Sequence, residues 1–265
     1  MNILLIGKPH DNIINVLKDS VFLDKLYIAG DYKSETIPNF GYKSVSELAE
    51  KAKTLQIDIA INLDKTLINN GICEDFRRNK INLISANKKW LNLETNKFAA
   101  KQLLTYYSVN TTQILKVPSV FPVSVKTEYN EYIVNSMTEL TKLAENLKEQ
   151  YYIEEYLTGD TFNLLSIWDG ENLYFFNSPE NINEIKDDRL DLLKTKLKFM
   201  FSDEKANFIG FFTTHLIWAK NDWYVKSFSM GINSDIDIKS ALAKTKTDFL
   251  YILNSAIYQK LNEIR

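Results

Sequence analysis

The chain has 265 residues, 45% of them hydrophobic and 25% charged, enough for one large or two small domains with real cores. A net charge of -2 and a pI near 5.8 give no overall basic surface, and no apolar run approaches membrane-spanning length, so neither nucleic acid nor a membrane is an expected partner. Cys73 is the single cysteine, which leaves no internal disulfide and no thiolate metal cluster, and Met1-Asn2-Ile3-Leu4 lacks a signal peptide's basic and long apolar regions; a cytoplasmic location is expected.

In chain order, apolar runs at Ile3–Ile6, Leu26–Ala29, Ile57–Ile61 and Ile81–Ile84 read as strands of a largely parallel sheet, with helical patterns between them. Ser44 with Glu47 forms a capping box ahead of Leu48, Ala52 and Leu55 on one helix face. The expectation is a Rossmann-like unit over residues 1–86. Its first turn, Gly7-Lys8-Pro9-His10-Asp11, has one glycine where a dinucleotide fingerprint needs three, so NAD binding is rejected. His10 is a solvated turn residue or an anion contact at a helix start, and Arg77 and Arg78 cover a helix face.

From Asn87 to Leu104 a single helix is expected, carrying Lys88, Lys97 and Lys101. Val120–Lys126 then reads as a strand ending in a lysine, Tyr132–Asn135 returns from it, and Ser136 with Glu139 caps a helix whose Leu140, Leu143, Ala144 and Leu147 face inward. With the next strand, this forms a small lobe over about residues 111–157. That strand opens the stretch Tyr151–Gly170, in which a Glu154-Glu155 pair precedes a Thr158-Gly159 break and a second strand runs to a turn at Asp169-Gly170. Such a stretch suits a hinge that holds a flat ligand between lobes; the competing reading is a surface carboxylate pair on an ordinary hairpin. Lys126 and Glu154 are expected to converge on one cleft. Further on, Leu190, Leu193, Leu197 and Met200 mark a helix, Phe208–Met230 a strand pair reversing at Asn221-Asp222, and Leu250, Leu253, Ile257, Leu261 and Ile264 a final helix. The aromatic-rich strand pair is either core or the lining of a pocket, and His215 within it reads as packed or hydrogen-bonded.

These segments together resemble the ATP-grasp superfamily, and within it the glycinamide ribonucleotide synthetase (phosphoribosylamine-glycine ligase) family of purine biosynthesis. Leu93–Lys101 is similar to that family's Leu-Glu-Gly-Ser-Lys-Ala-Phe-Ala-Lys, Phe121–Lys126 to its Pro-Val-Val-Val-Lys strand, and Tyr152–Asp160 to its Val-Ile-Glu-Glu-Phe-Leu-Glu-Gly-Glu. Ile209–Leu216 and Thr247–Leu250 continue the series over nearly the whole chain. The resemblance implies an α/β architecture, a Rossmann-like N-terminal domain (1–86) followed by an ATP-grasp domain (87–265) with a small lid lobe. It implies ATP as ligand, Lys97 and Lys126 on its phosphates, and Glu154 and Glu155 at its adenine hinge.

The departures concern the chemistry. Where the family has a glycine-rich phosphate loop, this chain reads Thr127-Glu128-Tyr129-Asn130-Glu131-Tyr132. The family's metal strand, roughly Leu-Glu-Phe-Asn, corresponds to Val225-Lys226-Ser227-Phe228, with Lys226 in the Glu position and Phe228 in the Asn position; Ser227 and Ser229 would be poor substitutes after a register slip, and Asp235 and Asp237 have no independent support as ligands. Magnesium is therefore doubtful. Ser178–Glu184 replaces a longer active-site segment, Gly231–Asp235 lacks most of the family's Phe-Gly-Asp-Pro-Glu, and the last helix ends the chain where the family adds a C-terminal domain. The expectation is a nucleotide- or metabolite-binding homologue with weakened or lost catalysis, a pseudoenzyme, with a protein partner also open; the alternative is an active carboxylate-amine ligase that forms an acyl-phosphate.

Overall fold

The structure is a computed structural model that describes residues 1–127, 130–176, 184–232, 238–243 and 247–264. Glu128, Tyr129, residues 178–183 and 233–235, and Asp237, all singled out above, lie outside the described residues.

The first sheet is parallel and five-stranded: β1 (Asn2–Ile6), β2 (Lys25–Ala29), β3 (Asn39–Phe40), β4 (Ile59–Asn62) and β5 (Asn82–Ile84), in the order β3-β2-β1-β4-β5. Both faces are covered, which is why its strands read as unbroken apolar runs. Helices α1 (Asp11–Lys18), α2 (Val45–Thr54), α3 (Thr66–Asn69) and α4 (Ile72–Arg78) connect them. Ser44 Oγ accepts from Glu47 N at 3.2 Å and Glu47 Oε2 accepts from Lys43 N at 2.8 Å, so the capping box forms as expected. His10 is the exposed N-cap of α1 and makes no side-chain capping bond.

Two helices, α5 (Lys88–Thr95) and α6 (Lys97–Tyr106), replace the single one expected between Asn87 and Leu104. Asn96 leaves the helical region (φ -115, ψ 79) and its side chain accepts from Ala99 N, starting a new helix at Lys97. A small antiparallel sheet follows, from β6 (Ile114–Leu115), β7 (Val123–Lys126), β8 (Glu131–Val134) and β9 (Tyr152–Glu155), with α7 (Met137–Asn146) between β8 and β9 and strand order β6-β9-β7-β8.

β10 (Asp160–Trp168) belongs to a different sheet. It pairs with β11 (Leu173–Phe175) and β12 (Gly210–Ala219), and β12 pairs with β13 (Asp222–Met230). β9 and β10 are thus not a hairpin: residues 156–159 cross from one sheet to the other. Gly159 permits that crossing, since a Cβ there would lie 1.9 Å from the Trp218 carbonyl oxygen. The β12–β13 reversal falls at Lys220-Asn221, both at positive φ (50 and 60), one residue before the expected position.

One face of the large sheet packs Leu164, Phe212, Leu216 and Phe228 against Trp90 and Leu93 of α5 and against Leu190, Leu193, Leu197 and Phe201 of α8 (Glu184–Asp203). Phe201 stacks on Phe212 with ring centroids 4.8 Å apart. Leu165, Ile167 and Phe211 on the other face join one core with Leu5 and Ile28 of the parallel sheet. That core also takes Ile238 and Ala241 of α9 (Ile238–Ala243) and Phe249, Leu250 and Leu253 of α10 (Phe249–Ile257). The final helix is shorter than its sequence pattern. Gln259 takes a left-handed φ of 58, and Leu261 is buried from a separate short turn. The aromatic density of β12 and β13 is therefore mostly core.

Candidate functional site

The small sheet separates its side chains by strand alternation. Val123, Val125 and Val134 pack on Leu140 of α7, while Ser124, Lys126 and Glu154 face the opposite way, toward the large sheet. There Glu154, 1% exposed, is clamped by two ammonium groups: Lys126 Nζ lies 2.5 Å from Oε1 and Lys101 Nζ 2.6 Å from Oε2. The Thr112 hydroxyl donates to Oε2 at 2.9 Å and also contacts Lys101. Three of the carboxylate's roughly four acceptor positions are thereby used. Burial pushes the Lys101 ammonium below its ordinary pKa, against the opposing attraction of Glu154. Lys101 was visible in the sequence as a helix lysine, and its spacing of four from Lys97, beside Ala100 and Leu104, was the signal that it turns inward.

Lys126 also lines a cavity of about 300 Å³ between the sheets, together with Lys97, Glu131, Thr161, Asn163, His215, Leu216, Lys226 and Ser227. Lys97 projects from the first turn of α6. Neither Lys97 nor Lys226 has an ion pair among the described residues. Glu131 accepts from Ser124 Oγ at 2.7 Å and lies 3.7 Å from Lys126 Nζ. Burial raises its pKa, but Ser124, Lys126, Lys226 and Lys97 more than offset that, holding it below the ordinary 4.5.

The structure thus brings Lys97 and Lys126 to one cavity, pairs Glu154 with Lys126 outside the cavity lining, and separates Glu155 from them. Glu155 pairs with Lys220 and accepts from Gln113 N at 3.1 Å, on the far side of β9.

β13 corrects the expected strand register. His215 pairs with Ser227 but Leu216 pairs with Val225, so Lys226 is the extra residue of a β-bulge. A bulge breaks the alternation and re-aims a side chain, which puts Lys226 and Ser227 side by side in the cleft. Phe228 does not enter it: the ring is 2% exposed and packs with Phe212 in the core. Ser229, not Phe228, continues the cleft face, and its hydroxyl lies 2.7 Å from His215 Nε2.

The donors suit an anion. Among the described lining residues Lys97, Lys126 and Lys226 face one carboxylate, Glu131, with Glu154 paired to Lys126 from outside the lining, and the neutral oxygens beside them, from Ser227, Thr161 and Asn163, are poor ligands for a divalent cation facing that charge. No group of metal-holding His, Cys, Asp or Glu side chains occurs among the described residues, and no helix there is long and apolar enough to cross a membrane. Hollows of about 650 Å³ beside Tyr106 and Tyr224, and about 590 Å³ beside Arg77 and Phe208, are larger but do not converge charge in this way.

No protein-family model matches the chain. Among solved structures, the phosphoribosylamine–glycine ligase of Thermotoga maritima superposes with a TM-score of 0.71 at 13% identity, over 100% of this chain and 76% of that one. The D-alanine–D-alanine ligase of Bacillus anthracis, solved in complex with ATP, superposes with a TM-score of 0.63 at 16% identity, over 99% of this chain and 98% of that one. The chain has the ATP-grasp fold. In sequence it is similar to a phosphoribosylamine–glycine ligase of Fusobacterium nucleatum, at 24% identity over 100% of this chain and 75% of the relative. The cavity lined by Lys97, Lys126 and Lys226 lies between the small and the large antiparallel sheet, which follow the parallel sheet in the chain.

Proposed function

We propose that this ATP-grasp protein holds a nucleotide, or another phosphorylated metabolite, in the cleft between its antiparallel sheets, and that it does so without the metal-dependent ligase chemistry of its relatives. In this reading residues 1–86 form the Rossmann-like domain and 87–265 the ATP-grasp domain. Lys97 and Lys126 hold phosphate oxygens, and Glu154 offers its remaining acceptor position to an adenine amino group.

The observation that carries the reading is Lys226. The bulge directs its ammonium into the cleft beside Lys97 and Lys126, where it supplies to a polyphosphate the positive charge that a divalent cation otherwise would. The similarity in sequence to a phosphoribosylamine–glycine ligase along the whole chain favours a second reading, an active ATP-dependent carboxylate–amine ligase passing through an acyl-phosphate.

Calorimetric titration of ATP in magnesium and again in EDTA separates the two. Equal affinity in both supports metal-independent binding. Affinity that rises strongly with magnesium, followed by ADP release with amines and carboxylates, puts the ligase reading first.

A further inference from the structure

The floor of the cleft carries a chain of hydrogen bonds that anion binding does not require. His215 on β12 lines the cleft, with Nδ1 2.8 Å from Asn163 Oδ1 and Nε2 2.7 Å from Ser229 Oγ. Asn163 stands directly across from His215 on β10, and Ser229 follows Ser227, the cross-strand partner of His215, by two residues on the same face of β13. A carboxamide oxygen only accepts, so Nδ1 carries the ring proton and Nε2 is left to accept the proton of the Ser229 hydroxyl. Acceptor, imidazole and hydroxyl are thereby in the order in which an oriented imidazole activates a serine.

We propose that Ser229 is a nucleophile that takes the terminal phosphoryl group of a nucleoside triphosphate, with His215 as its base and Asn163 as the positioning residue for the imidazole. The proposal rests on the reading of the cleft as a nucleotide-phosphate site. Ser229 Oγ forms a bond to the γ-phosphorus while the bond from that phosphorus to the β,γ-bridging oxygen breaks. The nucleoside diphosphate departs with that oxygen and its electron pair, and the hydroxyl proton passes to His215 Nε2. Atoms and electrons balance with the triphosphate as the only co-reactant. Lys97, Lys126 and Lys226 line the cavity together with His215, the hydrogen-bond partner of Ser229, and offset charge on the transferring group and on the departing diphosphate. If the three polar groups only satisfy one another on the strand face, no covalent product forms.

The test uses the full chain and ATP with a labelled γ-phosphate in EDTA, with binding followed in parallel by calorimetry and the protein digested for mass spectrometry. The expected result is one phosphoryl group on the Ser229 peptide, absent from Ser229→Ala at an unchanged melting temperature. In His215→Gln its formation slows by about 100-fold or more. Asn163→Ala slows it and Asn163→Asp restores it, an outcome that a merely structural contact would not give. Bound ATP with no phosphoryl group on Ser229, or a label that persists in Ser229→Ala, overturns the nucleophile while leaving the cleft reading intact. Absence of ATP binding overturns both.

Discussion

Replacing Glu154 by Gln removes the carboxylate that pairs closely with both Lys101, 3% exposed, and Lys126, 6% exposed, leaving Glu131, 3.7 Å from Lys126, as the other acid beside them. Such a buried triad adds little net stability as assembled, because desolvation opposes the attraction, but breaking it strands the Lys101 ammonium and leaves Lys126 with Glu131 alone, at a cost of about 3–5 kcal/mol. At about 2–4 °C per kcal/mol for a chain of this size, the melting temperature falls by about 10 °C. The deficit has a sign in pH. Removing Glu154 takes away the attraction that supports the protonated form of Lys101, whose pKa burial already depresses below 10.5. Between the depressed folded value and the unfolded one the unfolded chain binds the extra proton, so stability rises with pH there and the deficit of Glu154→Gln shrinks toward pH 10.5. Adding Lys101→Met to Glu154→Gln recovers a large part of the loss, because an apolar side chain of similar volume replaces the stranded charge. Thermal melting across pH checks all three statements. A melting temperature for Glu154→Gln within about 2 °C of wild type would refute the claim that Glu154 offsets the buried ammonium charge of Lys101.

Three further outcomes are expected. Lys226→Glu changes the charge at the bulge by about two units, so ATP affinity in EDTA falls at least about tenfold, or 1.4 kcal/mol, and magnesium restores part of it; calorimetry that finds the variant unchanged removes Lys226 from the cleft's electrostatics. Glu131 has a depressed carboxyl pKa, so its contribution to stability is complete above 4.5 and is lost as pH falls through the folded value; urea unfolding should show the gap between wild type and Glu131→Gln closing below that pH. Gly159→Ala forces a Cβ to within 1.9 Å of the Trp218 carbonyl oxygen, so the hinge must shift off β12 at a cost of about 1–3 kcal/mol, and a melting temperature equal to wild type would show that the crossing has room to spare.

What the sequence made legible was local. Ser44 with Glu47 and Ser136 with Glu139 announce helix starts because cap and partner are neighbours in the chain, and both boxes form. The unbroken apolar runs of the parallel sheet announce themselves in the same way. Two-residue strands such as β3 and β6 carry no period to detect, and the break at Asn96 depends on one side chain choosing a cap over a continuing helix. The cleft was harder for a different reason. Lys126 and Glu154 are legible as strand residues, but that Lys101 closes the triad depends on how α6 lies against β9, which no local pattern encodes. The bulge at Lys226 is the sharpest case. Counting along Val225-Lys226-Ser227-Phe228 assigns Phe228 to the cleft, whereas cross-strand pairing inserts one extra residue, returns Phe228 to the core and leaves Ser227 and Ser229 on the cleft face. The same irregularity that keeps the Phe228 ring in the core turns the ammonium group of Lys226 into the cleft.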